Sequence, residues 1–137
     1  MQTVLVVEDW PGLRRRLDSA LRDAGYFTIL TTMAQEALGV VRSVHVDLVR
    51  AREGLEDVEG STLARILRRG GFEELFVVLQ AESAETMQRV ADSGVADAVV
   101  LRTAEVGPVV RLVRRLLRPE LLYAPGTVSF APTLGRA

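Results

Sequence analysis

The chain has 137 residues, 48% of them apolar and 26% charged, with a formal net charge of −1. That is the balance of one globular domain able to close its own core, neither disordered nor bilayer-spanning, with no overall field toward nucleic acid or an anionic membrane. With no cysteine and a single histidine, His45, disulfides, thiol chemistry and thiolate or histidine-rich metal sites are excluded, so any chemistry rests on carboxylates and arginines. All 17 basic residues are arginine, most simply the codon usage of a GC-rich genome, and no lysine is present to act as a mobile ammonium.

In chain order, Val4-Val7 reads as a buried strand. Pro11 suits a first helical position, and Leu13, Leu17, Ala20, Leu21 and Ala24 form an apolar face that ends at Gly25. Tyr26-Thr31 predicts a second strand, Ala34-Arg42 a second helix and Asp47-Ala51 a third strand. A turn-rich segment, Glu53-Gly60, leads to a helix over Ser61-Arg69 that Gly70-Gly71 closes. Leu75-Leu79 is a continuous apolar run of central-strand type. A helix over Ser83-Ser93, a strand over Asp97-Leu101 and a helix over Val106-Arg118 complete five β-α units. The expected fold is α/β: a doubly wound five-stranded parallel sheet of flavodoxin-like type spanning 1–118. Residues 119–137 hold Pro119, Pro125, Pro132, Gly126 and Gly135. This stretch reads as a linker or docking arm, in which Thr127-Phe130 could add an edge strand.

In such sheets function gathers at the carboxyl ends of the strands. The first strand ends in Glu8-Asp9, and adjacent carboxylates there are of the kind that hold a hard cation such as Mg²⁺. The run Val4-Leu5-Val6-Val7-Glu8-Asp9, together with Val46-Asp47-Leu48-Val49-Arg50-Ala51-Arg52, resembles the CheY-like receiver domain of bacterial response regulators. The resemblance implies a domain that binds Mg²⁺ at the acidic pair and accepts a phosphoryl group on an aspartate ending the third strand. Its flanks fix the register, since Asp47-Leu48-Val49 match on one side and Leu55-Glu56 and Glu59-Gly60 stand for the family's Leu-Pro and Asp-Gly steps on the other. Arg52 then occupies the phosphoacceptor position, and Arg50 replaces an apolar strand residue.

The other switch positions depart as well. Gln80-Ala81 stands where the family has a hydroxyl residue and Ala. In the segment Gly94 to Arg102, Ala98 falls at the aromatic switch and Leu101 at the phosphate-binding lysine. A one-residue slip would put Arg102 in that place, but the Gly94 and Asp97 spacing argues against it. Arginine cannot form the acyl phosphate an aspartate forms, so transfer at position 52 has no nucleophile. Arg52 also adds positive charge beside Glu8 and Asp9. At an effective dielectric of about 20, a charge pair ~4 Å apart is worth roughly 4 kcal/mol before desolvation, which disfavours Mg²⁺. The expectation is no bound cofactor, with Arg52 bridging Glu8 and Asp9.

Trp10 is placed at the pocket rim, where it closes the site, anchors a partner or packs over the first loop. Asp57 is the one alternative acceptor in the loop after Arg52, though an ordinary acidic loop residue is the simpler reading. His45 reads as a surface turn residue. Arg111, Arg114, Arg115 and Arg118 repeat at i, i+3, i+4 and i+7 on the last helix, as a solvated face or as a stripe meeting Glu82, Glu85, Asp92 and Asp97 across a two-fold contact of the fourth helix, fifth strand and fifth helix. The expected function is that of a degenerate, cytoplasmic, non-enzymatic receiver that signals by protein-protein interaction without phosphorylation. The competing reading is a phosphoryl-accepting regulator using Asp57. Nucleic-acid binding is the weakest, for want of a recognition helix or stacking platform.

Overall fold

The computed structural model describes residues 1–103 and 105–118; the 119–137 arm and its Thr127-Phe130 segment lie outside them. The elements are β1 (Thr3–Val7), α1 (Pro11–Asp23), β2 (Phe27–Thr31), α2 (Ala34–Ser43), β3 (Leu48–Arg52), α3 (Gly60–Arg69), β4 (Phe76–Ala81), α4 (Ala84–Asp92), β5 (Ala98–Leu101) and α5 (Gly107–Leu117). The strands form one parallel sheet in the order β2-β1-β3-β4-β5. This is the doubly wound five-stranded arrangement expected from the alternation of β and α patterns.

Strand alternation divides the core in two. Val4 and Val6 of β1, Leu48 of β3, Val78 of β4 and Ala98 of β5 pack against Leu13, Leu17 and Leu21 of α1 and Val109, Leu112, Val113, Leu116 and Leu117 of α5. The intervening residues Leu5, Val7, Val49, Ala51, Val77 and Leu79 pack against α2, α3 and α4 on the opposite face. Both faces of the central strands are therefore buried, which is why they read as unbroken apolar runs. Gly25, at φ +97°, closes α1 in a conformation that disfavours side chains.

One boundary difference matters for the site. β4 runs two residues past the expected Leu79, so Gln80 pairs in register with Arg52 and with Val100, and its side chain is buried. The loop after β3 is held by Glu53, whose buried carboxylate accepts from the Ser61 N–H at 2.6 Å and the Ser61 hydroxyl at 2.8 Å. It thereby caps the start of α3 from a distance, at the end where an anion is favoured. Gly60 opens that helix so close to β3 that a Cβ would lie 2.6 Å from the Arg52 carbonyl oxygen. The loop thus returns against the strand end that carries Arg52.

Candidate functional site

The carboxyl ends of β1, β3, β4 and β5 converge on one charged cluster. Glu8, Arg50, Arg52, Gln80 and Arg102 all continue the strand alternation on the α1/α5 side, the parity of Val6, Leu48, Val78 and Ala98. Asp9 and Glu82 come from the loops that follow β1 and β4. The cluster holds three carboxylates against three guanidinium groups.

Arg50 is its deepest member. Its side chain is fully buried in the middle of β3, and its Nη2 lies 3.0 Å from Oε1 of the equally buried Glu8. Neither atom makes a directed hydrogen bond among the described residues, so this is a contact of charges. The guanidinium is oriented instead by its Nε–H, donated to Gln80 Oε1 at 2.6 Å, and by Nη1, donated to the Val7 carbonyl at 3.3 Å. Burial pushes Arg50 down to about 10, against the pull of Glu8, and the nearby charges of Arg102 and Arg52 add to the lowering. The group remains cationic at neutral pH.

The outer layer is held by the other two arginines. Arg52 donates from Nη1 to Asp9 Oδ1 at 2.8 Å and from Nη2 to Glu82. Arg102 donates to Glu8 Oε2 at 3.0 Å and to Glu82 Oε1 at 3.2 Å. Glu8 Oε2 also accepts the Trp10 N–H at 3.0 Å, and the Glu8 carbonyl accepts from Arg14 at 2.9 Å. Trp10 stands at the extended residue before Pro11, and its ring is stacked by Arg102, with Cζ 4.9 Å from the centroid. Burial alone would lower Arg52, but its hydrogen bonds to Asp9 and Glu82 hold it above its ordinary value. Burial alone would raise Asp9, and the hydrogen bond and charge of Arg52 outweigh it, so Asp9 lies below its ordinary value.

This donor set does not fit the divalent cation that an acidic pair after β1 would suggest. Both oxygens of Glu8 face arginines and Asp9 Oδ1 faces a third, whereas Mg²⁺ requires free oxygen ligands and a negative surround. Among the described residues no three acidic or histidine side chains gather as a metal site.

Several expectations from the sequence need correction. Arg52 does not bridge Glu8 and Asp9: it spans Asp9 and Glu82, and Glu8 is taken by Arg50 and Arg102. Leu101, assigned to the lysine position, is 44% exposed, and Arg102 enters the cluster in its place. The reason is alternation. Ala98 and Val100 pack toward α1 and α5, so the residue two positions on shares their side and Leu101 does not. Glu82 is a member of the cluster rather than solely a surface acid for the α5 stripe. Asp97 is 3% exposed, and its Oδ2 accepts from the Val77 N–H at 2.7 Å and from Arg68 at 2.9 Å. It is a structural acid, unavailable to a surface contact.

Glu85 and Asp92 of α4 and Arg111, Arg114, Arg115 and Arg118 at α5 are exposed. Trp10 is 59% exposed at the rim. Asp57 stands apart from the cluster, accepting the Ala34 and Gln35 N–H groups at 3.1 and 3.0 Å, where it caps the start of α2. His45 is exposed and 2.9 Å from Asp47. Arg50 and Arg102 carry the largest part of the geometry that motif reading missed. The signal was present in strand parity, which sends residues 8, 50, 52, 80 and 102 to one side.

No family model and no curated protein matches the chain. Solved structures do. A Thermotoga maritima response regulator, TrrA, in complex with Mg(2+)-BeF, aligns at 24% identity and TM-score 0.76, over 85% of this chain and 99% of that one. The receiver domain of Francisella response regulator 1452 aligns at 19% identity and TM-score 0.78, over 88% and 99%. The Vibrio cholerae chemotaxis response regulator CheY4 aligns at 18% identity and TM-score 0.76, over 85% and 98%. The fold is thus the CheY-like receiver fold, and these structural neighbours are response regulator receivers.

Proposed function

We propose that this chain is an atypical receiver that transmits a signal in the cytoplasm by phosphorylation-independent protein-protein interaction, with no catalytic step of its own. The observation that carries this reading is the Arg52-Asp9 ion pair at 2.8 Å, at the strand end where a receiver of ordinary kind places its acceptor aspartate. A guanidinium there has no lone pair to attack phosphorus and no oxygen to form an acyl phosphate. It also occupies the carboxylate that a metal would need. Fold by itself does not fix function, so the site residues bear the argument.

The alternative acceptor, Asp57, is less favoured because both of its oxygens are engaged by the first N–H groups of α2. Those bonds hold its carboxylate below its ordinary value even against the raising effect of its partial burial. Phosphorylating it would uncap that helix. The partners in this reading are a signalling protein and a second copy of the chain, the latter through α4, β5 and α5, where exposed Glu85 and Asp92 complement exposed Arg111, Arg115 and Arg118.

Incubation of the full chain with a small phosphodonor and Mg²⁺, followed by intact-mass measurement, tests the reading. The expected spectrum is that of the unmodified chain. A phosphate adduct that is lost in Asp57→Asn overturns it in favour of the alternative acceptor.

A further inference from the structure

Beside the charged cluster lies a cleft of about 240 Å³, lined by Trp10, Leu13, Arg16, Glu82, Arg102 and Thr103. Its walls are of two kinds. Trp10, 59% exposed, and the Leu13 side chain supply an apolar wall, while Arg102 and Arg16 supply positive charge. Arg16 is exposed and makes no ion pair or hydrogen bond among the described residues.

Among the described residues Glu82 is the only carboxylate lining this cleft, and it is the most exposed member of the cluster. Its side chain is 53% exposed, against 15% for Arg52 and 11% for Arg102, the two groups it bridges. Both arginines retain a buried Nε–H without an acceptor among the described residues. Glu8 and Asp9 are locked below by their own ion pairs. Glu82 is thus the exposed outer member, on the loop before α4, while the Arg50-Glu8 pair is buried beneath it. Displacing Glu82 leaves a seat between two guanidinium groups, positive in sign and walled by an aromatic.

We propose that this cleft receives an acidic side chain of a protein partner, whose carboxylate takes the place of Glu82 between Arg52 and Arg102 while a neighbouring apolar residue packs on Trp10. This rests on the reading of the domain as a phosphorylation-independent interaction module and names the chemistry of its partner. Charge complementarity selects the carboxylate, since the cleft gains net positive charge once Glu82 leaves. The exposed tryptophan beside it selects a peptide over a free anion, because an aromatic anchor next to arginine is the usual composition of an interface centre. Glu82 acts as an internal competitor that sets the threshold for binding.

Trp10 is the only tryptophan of the chain, so its fluorescence reports occupancy directly. The full chain is titrated with a capped Ala-Glu-Leu-Ala peptide, with its Ala-Gln-Leu-Ala counterpart and with inorganic phosphate, in wild type, Glu82→Gln, Glu82→Ala and Arg102→Gln. Both Glu82 variants should bind the glutamate peptide about tenfold more tightly than wild type, equivalent to ~1.4 kcal/mol. The glutamine peptide should show no such gain, and Arg102→Gln should bind neither. Equal affinity of the Glu82 variants for the two peptides overturns the proposal, as does saturation by phosphate with no response to the glutamate peptide. A parallel intact-mass measurement with phosphodonor separates the two claims: an adduct there defeats the phosphorylation-independent reading, while peptide selectivity is scored on its own.

Discussion

Arg50 of β3 and Glu8, the residue that follows β1, face each other at 3.0 Å with both side chains fully removed from solvent. Neither would be stable there alone. Removing one partner of a buried pair leaves an uncompensated charge and costs about 3–5 kcal/mol, while replacing both costs much less. Arg50→Met and Glu8→Gln should each lower stability to urea by roughly that amount. The double variant should lose less than either single one, so that its loss falls well short of the sum. A loss below ~1 kcal/mol for Arg50→Met would show that the pair contributes little.

The same network predicts indifference to Mg²⁺. In the wild type the acidic groups near β1 are neutralised internally, so a few millimolar Mg²⁺ should leave the melting temperature where it is. Arg52→Asp frees Asp9 and converts a balanced cluster into one with two excess negative charges. A ligand that binds only the folded state at ten times its Kd stabilises by about 1.4 kcal/mol. Mg²⁺ should therefore raise the melting temperature of Arg52→Asp selectively; an equal rise in the wild type would contradict the charge argument.

Asp9 gives the pH dependence a sign. Burial favours its protonated form, but the hydrogen bond and charge of Arg52 prevail and hold its folded pKa below the ordinary 3.8. A carboxylate with a depressed folded pKa contributes stability that is complete above the unfolded value and is lost as pH falls through the folded one. The difference in urea midpoint between wild type and Asp9→Asn should be constant from about pH 7 to pH 5. It should shrink only below the ordinary value. A difference that instead fades between neutrality and about pH 5 would place the pKa of Asp9 above its ordinary value.

Much of this is legible in the sequence. Periodicity gave every element, because the two-faced sheet demands unbroken apolar strands and the helices demand apolar stripes at i, i+3 and i+4. Glu8, Asp9, Arg52 and Gln80 were located by motif spacing. Arg50 is not explained by spacing, since an arginine in a core strand reads as a misfit unless the acid beside it is buried too. Motif spacing points to Leu101 rather than Arg102, but parity decides which side of the sheet a side chain leaves from. Asp97 was assigned to a surface for a similar reason. Its carboxylate turns inward to the Val77 N–H of β4 and to Arg68, bonds between distant segments that spacing does not encode.

Asp97 also separates fold from association. Because its carboxylate satisfies the buried Val77 N–H and meets Arg68, Asp97→Ala strands a polar group and should cost about 1–3 kcal/mol. It should leave self-association untouched at temperatures where the variant is folded. The α5 stripe should behave in the opposite way. Arg111 is exposed on the polar side of a helix whose apolar side is filled by Leu112, Val113 and Leu116, so reversing its charge changes stability by no more than about 0.5 kcal/mol. If two copies meet through α4, β5 and α5, Arg111→Glu/Arg115→Glu places like charges opposite Glu85 and Asp92 in each half of a two-fold contact, and the penalty is counted twice. Sedimentation at tens of micromolar should then show the wild type gaining mass with concentration and the charge-reversed variant remaining monomeric. A wild-type mass that stays at one chain across that range rules out self-association there and leaves the acidic and basic surfaces to a different partner.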